Sequence, residues 1–182
     1  PLVTAPGSAA LRPGHSIENY YPPKDNYGRD QLFEALGLAV AKDGTIVVGT
    51  RTAGIWRIVN GEWRLFAEGL FDSLGVVVED GKGLTVVAGQ KAEVTRISDT
   101  NGDGVADRYD TLFDAHSYHA NYHSYMHGPV RGKDGSYYFA LNLPLMGGVT
   151  VSAGRLDGDR WILPAGKTDA TLRGTVAVAA GA

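Results

Sequence analysis

The stretch Leu36-Gly37-Leu38-Ala39-Val40-Ala41-Lys42-Asp43-Gly44-Thr45-Ile46-Val47-Val48-Gly49 sets two apolar runs on either side of an Asp-Gly turn. Short apolar runs bounded by Gly and Asp are strand signals. The Asp-Gly pair between them predicts a hairpin, because type I′ geometry needs positive φ at both turn positions and these residues tolerate it. A third run, Gly54-Ile55-Trp56-Arg57-Ile58-Val59, leads through Asn60-Gly61 into Trp63-Arg64-Leu65-Phe66 and completes four short strands.

The unit recurs. Leu74-Gly75-Val76-Val77-Val78, a turn at Asp80-Gly81, Leu84-Thr85-Val86-Val87-Ala88-Gly89 and Glu93-Val94-Thr95-Arg96-Ile97 repeat its order. A third start lies at Gly128-Pro129-Val130, with Lys133-Asp134-Gly135 and Tyr137-Tyr138-Phe139-Ala140-Leu141, and a later pair joins Gly154-Arg155-Leu156 to Trp161-Ile162-Leu163. Self-similarity at roughly 40 to 50 residues is the mark of propeller blades of four antiparallel strands. A β-sandwich explains the number of strands but not the recurring order of Gly, Asp-Gly and Gly. The expected fold is therefore all-β, with antiparallel blades over Leu36 to Leu70, Leu74 to Phe113 and Gly128 to Leu163. Leu38, Val47, Ile55, Val77, Val86 and Phe139 are expected to be buried between blades. Propellers close with four to eight blades, so about three indicate an incomplete propeller, a fragment completed by further blades. Residues 1–32 mix Pro, Gly, Ser, Asn and Tyr without a period and read as an irregular N-terminal arm ahead of a partial propeller over 33–182. Tyr20, Tyr21 and Tyr27 give that arm aromatic groups to pack on the body.

With 182 residues, 43% of them hydrophobic, the chain can bury a core, and a net charge of -3 gives no reason to expect nucleic acid as a partner. There are no cysteines, which excludes disulfides and thiolate metal sites. No apolar run approaches a membrane span, and the first residues lack the basic and apolar regions of a signal peptide. The start at Pro1 reads as a processed or trimmed terminus.

Asp99-Thr100-Asn101-Gly102-Asp103-Gly104-Val105-Ala106-Asp107-Arg108-Tyr109-Asp110 carries oxygen ligands at calcium-loop spacing. Asp99, Asn101, Asp103, the Val105 carbonyl, Asp107 and Asp110 are the expected ligands of Ca2+, with Gly104 at the sharp turn. Turn chemistry alone also favours Asp and Gly, but it does not ask for acids at alternate positions. The last ligand is Asp where sensor loops carry a bidentate Glu, and the flanks are not helical, so a structural site is expected rather than a switch. Calcium-rich surroundings, the periplasm or the cell exterior, follow as the expected location.

Four of the five histidines crowd into His116-Ser117-Tyr118-His119-Ala120-Asn121-Tyr122-His123-Ser124-Tyr125-Met126-His127. On a helix the four imidazoles would span about 80°, and on a strand His119, Asn121, His123, Tyr125 and His127 share a face. Neutral imidazoles bind zinc, copper or iron, and one imidazole can act as a general base near neutral pH. His116 and His119 are the candidates for a transition metal. The bland alternative is a polar channel lining in which His and Tyr satisfy one another. Arg51 is a candidate channel residue from its place after an inner strand.

The order Asn121-Tyr122-His123, Gly128-Pro129, Asp134-Gly135, Tyr138 and Asn142, preceded by Phe66-Ala67-Glu68-Gly69-Leu70 and Leu74-Gly75, resembles the glucose/sorbosone dehydrogenase-like β-propellers over about Phe33 to Leu143. It is most similar to the bacterial branch known as membrane-bound or haem-linked dehydrogenases. In the characterised sugar dehydrogenases, pyrroloquinoline quinone (PQQ) sits over the channel, calcium polarises it, and a histidine takes the hydroxyl proton as hydride moves to the quinone. The resemblance implies His123 as that base; His127 and Tyr125, on the same face, are then expected to orient the sugar, and Asn121, Asn142 and, from its place after an inner strand, Arg51 are the candidate cofactor contacts. It also implies a carbohydrate or other small-molecule substrate and a cytochrome domain as a partner. Two other functions use the same segment. A polysaccharide lyase would abstract a proton α to a carboxylate with imidazole or phenol. A carbohydrate-recognition propeller would stack sugars on Trp56, Trp63 or Trp161, although core packing accounts for each Trp more simply.

Overall fold

The computed structural model describes residues 14, 19–25, 27–114, 124–141, 155–157, 160–162 and 175–178. The protein is all-β, with no helix among these residues. Strands β1 (Ala35–Val40), β2 (Ile46–Thr50), β3 (Ile55–Val59) and β4 (Glu62–Ala67) form one antiparallel sheet in chain order. Strands β5 (Gly75–Val78), β6 (Thr85–Gly89), β7 (Val94–Ser98) and β8 (Arg108–Phe113) form a second in the same order. A third sheet contains β9 (Met126–Arg131) and β10 (Tyr137–Leu141). Its third member is β13 (Thr175–Val178), paired with β10 from Tyr137↔Val178 to Ala140↔Thr175. The expected continuation through residues 154–163 is corrected here: among the described residues β11 (Arg155–Asp157) and β12 (Arg160–Ile162) pair with each other as a separate two-stranded sheet and not with β10.

The turns follow from their residues. The loop 42–44 is closed by the Ala41 amide on the Thr45 carbonyl (2.8 Å) and the Gly44 amide on the Ala41 carbonyl (3.0 Å), and the Asp43 carboxylate accepts the Thr45 amide (2.9 Å). Gly44 has φ 88 and Asp43 is not in the positive region, so this is a three-residue loop with glycine in the left-handed position rather than the expected type I′ turn. The third sheet repeats it bond for bond, with the Gly132 amide on the Ser136 carbonyl, the Gly135 amide on the Gly132 carbonyl and the Ser136 amide on Asp134. At Asn60-Gly61 both residues have positive φ, 52 and 80, as type I′ requires.

The sheets stand beside one another as blades, with inner strands β1, β5 and β9 adjacent. Val47, Ile55 and Phe66 of the first sheet meet Val86, Ala88 and Ile97 of the second in a buried cluster. Between the second and third sheets the Phe113 and Phe139 rings lie 5.2 Å apart. Full burial of a Val, Ile or Phe side chain contributes about 1.5–3 kcal/mol, against roughly 0–1 kcal/mol for an exposed ion pair such as Arg64–Glu62, so these apolar seams hold the blades together. A polar bridge supplements the second seam: Tyr137, fully buried on β10, donates its hydroxyl to Glu79, which also accepts Arg96 Nε at 2.6 Å. Burial and the Glu79 carboxylate push the Tyr137 hydroxyl up to about 12. Desolvation raises Glu79, but the bonds from Arg96 and Tyr137 outweigh it and hold the carboxyl below its ordinary value.

Of the residues expected between blades, Val47, Ile55, Val86 and Phe139 are buried and Val77 is half-buried. Leu38 is not; it is 68% exposed, because Gly37 and Ala39 are the β1 residues that turn toward the second sheet. Of the arm aromatics only Tyr20 packs, edge-on to Trp63 at 6.5 Å, while Tyr21 and Tyr27 are exposed. Phe33 joins them, 5.2 Å from Trp63 and 6.0 Å from Trp56, which places both tryptophans in packing.

Inner strands approach where side chains are missing. A Cβ on Gly75 would stand 2.0 Å from the Gly128 carbonyl oxygen, and one on Gly37 would stand 2.7 Å from the Leu74 carbonyl oxygen. Both obstacles are backbone. Gly75→Ala is therefore expected to destabilise the protein by about 1–3 kcal/mol in urea unfolding, as overpacking does. Gly81→Ala, where a Cβ would meet nothing closer than Lys42 Cβ at 4.0 Å, is expected to unfold within about 0.5 kcal/mol of the parent; equal effects of the two would show that the blades do not depend on this approach.

Candidate functional site

Antiparallel order fixes two ends for every blade. The β2–β3 and β6–β7 loops and the link 68–74 between the first two blades gather at one end, here the upper; the β1–β2, β3–β4 and β7–β8 loops gather at the other, the lower. At the upper end Gly49-Thr50-Arg51 of the first blade and Gly89-Gln90-Lys91 of the second hold equivalent places after their second strands. Asp72, from the link between the blades, stands between the two cations, 2.9 Å from Lys91 Nζ and 3.3 Å from Arg51 Nε. Its φ of 49 is a left-handed conformation that Asp tolerates better than most residues. Arg51 Nη1 also reaches Glu34 at 3.4 Å. The link is pinned by the Phe71 amide on Gln90 Oε1 (2.6 Å) and the Lys91 amide on the Phe71 carbonyl (2.9 Å).

The path continues toward the channel. Lys91 Nζ lies 5.4 Å from the Phe71 ring centre and 5.3 Å from that of Tyr125, within cation–π range. The Tyr125 and His127 rings meet edge to face at 6.5 Å. His127 is exposed near the start of β9, on an open groove of about 410 Å3 that runs over Leu36 to Leu38, Leu74 to Val77 and Gly128 to Arg131. Its walls come from the three inner strands and the residues that flank them. The structure thus connects three expected site residues, Arg51, Tyr125 and His127, through two that the motifs did not single out, Asp72 and Lys91. The repeat held a signal for Lys91, since Gly89-Gln90-Lys91 occupies the place of Gly49-Thr50-Arg51; nothing in the sequence marks Asp72. His116, His119, Asn121, His123 and Asn142 lie outside the described residues.

The loop expected to hold calcium is at the lower end. Asp99 accepts the Gly102 (2.6 Å) and Gly104 (2.8 Å) amides, Asn101 accepts the Asp103 amide, Asp103 accepts the Val105 amide, and Asp107 accepts the Thr100 amide and hydroxyl. Gly102 and Gly104, at φ 85 and 91, allow the turns. Desolvation raises the Asp99 carboxyl, but these amide bonds prevail and hold it below its ordinary value. Arg57 lies beneath the loop with Nη1 3.7 Å from the place of a Gly104 Cβ; burial lowers its pKa, against the fields of Asp80, Asp43 and Asp99. Asp110 stands in β8 opposite Arg96, its carboxylate 2.8 Å from Arg108 Nε. Asp99, Asn101, Asp103 and Asp107 share one loop, yet among the described residues no three His, Cys, Asp or Glu side chains converge as a metal-binding set. The loop is folded by its own amides, and calcium would have to draw these carboxylates inward.

Comparison of the chain with protein-family models, with curated proteins and with solved structures found no match.

Lys91 is 4% exposed and Asp72 11%, so their contact is shielded from water. Asp72→Asn keeps the left-handed backbone and removes the charge; it is expected to cost about 1.5–3 kcal/mol in denaturant unfolding, the range for a hydrogen bond to a charged group. Combining it with Lys91→Met is expected to cost less than the sum of the two, and strict additivity in that double-mutant cycle would show that the pair is not coupled.

Proposed function

We propose that the chain is part of a sugar-oxidising β-propeller whose site lies at the upper end of the channel and whose calcium loop braces the lower end. The observation that supports this is the contact path from Arg51 through Asp72, Lys91 and Tyr125 to His127, which sets charge and an aromatic face beside an exposed imidazole at the groove. An exposed imidazole is a group that suits proton transfer, and a cation close by suits an anionic group on a cofactor.

In this proposal His123 takes the proton of the sugar hydroxyl, and His127 and Tyr125 orient neighbouring hydroxyls. A PQQ-type quinone held beside these residues would supply the hydride acceptor. Arg51, 19% exposed, offers a guanidinium to its carboxylates, while Lys91 is held between Asp72 and two rings and positions them. Asn121 and Asn142 complete the cofactor contacts on the grounds of the family resemblance, and His116 and His119 remain for a transition metal. A cytochrome domain would be the electron acceptor for such a quinone, and the protein would work in the periplasm or outside the cell, where calcium is plentiful. Further blades complete the channel.

Two measurements test this. Dye-linked oxidation of sugars with added PQQ should be lost by about a hundredfold or more in His123→Ala, the lower limit for a positioned general base, and should fall in kcat rather than in KM alone; equal rates would remove His123 from the chemistry. Calcium at a hundredfold excess over its Kd should stabilise the fold by about 2.7 kcal/mol, a rise in Tm of roughly 5–10 °C for a chain of this size. Asp103→Asn should reduce that rise. A melting curve indifferent to chelator and to added calcium would reject the calcium loop.

A further inference from the structure

Arg57, on β3 of the first blade, is a buried cation with few partners for its charge. It is 7% exposed and stands opposite Val47 on β2 and Arg64 on β4. Its side chain passes between two left-handed glycines of the second blade, Gly83 and Gly104, at φ 69 and 91. A Cβ on Gly83 would stand 3.7 Å from Arg57 Nε, and one on Gly104 would stand 3.7 Å from Nη1. Nη2 donates to the Lys82 carbonyl at 3.0 Å. Nε is buried without a hydrogen-bond partner, and among the described residues no carboxylate forms an ion pair with the guanidinium. Asp80, Asp43 and Asp99 attract it through space, and Arg64 opposes them. Each of these carboxylates is engaged with backbone amides instead: Leu84 for Asp80, Thr45 for Asp43, and Gly102 and Gly104 for Asp99.

Gly104 is the turn glycine of the Asp99 to Asp110 loop, so a positive charge supplied by the first blade lies under the turn that would wrap a cation on the second. We propose that Arg57 sets the calcium affinity of this loop, its guanidinium opposing an entering divalent cation and holding the site in the range of about 10⁻⁴–10⁻³ M that extracellular calcium modules use. The inference rests on the reading of the loop as a calcium site and adds the residue that tunes it. Two effects act together. The guanidinium is shielded from water, so salt screens its repulsion of the ion less than it would that of an exposed arginine. Calcium also competes with it for Asp99, since Asp43 and Asp80 face Arg57 from outside the loop and Asp99 is the expected ligand among the three. Arg57 is not a ligand; it acts on the site by its charge.

Calorimetric titration of the chelator-treated protein with calcium chloride at fixed ionic strength tests this. Arg57→Met should tighten the Kd by about tenfold or more, as expected when a unit charge is removed from within several ångströms of a divalent ion near a protein surface. Arg57→Lys keeps the charge and should bind calcium as the parent does. Terbium carries three charges and should gain more from Arg57→Met than calcium does, which a change of packing alone would not produce. Arg57→Gln is also neutral and repeats the comparison if the Met variant loses its β circular-dichroism spectrum. Equal calcium affinity in the parent and the neutral variants would overturn the role of Arg57 while leaving the calcium loop intact. A Lys variant that binds as tightly as the Met variant would overturn it too, because packing and not charge would then set the affinity. Calcium bound neither by the parent nor by any variant would reject the calcium loop itself, and this inference with it.

Discussion

The geometry depends on how closely the inner strands can approach. Gly75 and Gly89 leave no Cβ where the Gly128 carbonyl sits, at 2.0 and 2.5 Å from the places those atoms would take, and Gly37 does the same for the carbonyl of Leu74. Outward from this point the seam between the first two blades widens: Gly37 and Ala39 on β1, Gly49 and Val47 on β2, Ile55 on β3 and Phe66 on β4. Side-chain volume therefore grows with distance from the axis. Close packing without voids then brings neighbouring sheets closest at their inner strands, as in the blades of a propeller.

The same strand order separates the two regions of chemical interest. Strands of five or six residues are about 17–20 Å long, so the Asp99 loop and the Arg51–Asp72–Lys91 cluster lie at opposite ends of the blades. A cation in the loop would steady the lower rim. It would be too distant to polarise a group bound beside His127, since a Debye length at physiological salt is only about 8 Å. Arg57, buried beneath the loop and facing Asp43, Asp80 and Asp99, already supplies positive charge there. That is one physical reason why the loop is folded by its own amides.

The repeat was legible because it is written in glycines and turn residues whose backbone demands are local. Asn60-Gly61 turns as expected, the Lys-Asp-Gly loops close their hairpins with a different, three-residue geometry, and two complete four-stranded sheets form around such turns. What was not legible is which face of a strand meets a neighbour when apolar residues run continuously. Leu36 to Val40 offers a hydrophobic side in both directions, and only the close approach at Gly37 decides that Leu38 points away from the second blade. Site residues show the same division. Arg51, Tyr125 and His127 stood out by type and place, but Asp72 becomes meaningful only when folding sets it between cations that lie 21 and 19 residues away in sequence.

The third sheet carries this distinction furthest. Residues 155–162 look like the outer half of a blade because Asp157-Gly158-Asp159 closes a hairpin, and that hairpin does form. Turn chemistry, however, fixes only the pairing of Arg155 with Ile162 and of Asp157 with Arg160; it carries no instruction about which sheet edge the hairpin joins. The free edge of β10 is satisfied instead by Thr175–Val178, a run with three β-branched residues of four, more than thirty positions away. An unpaired inner-blade edge is a row of unmet hydrogen-bonding groups, so a strand from afar can capture it as effectively as one nearby, at only a slowly growing cost in loop entropy. Local signals thus determine which strands exist, and competition for open edges determines the blade to which each belongs.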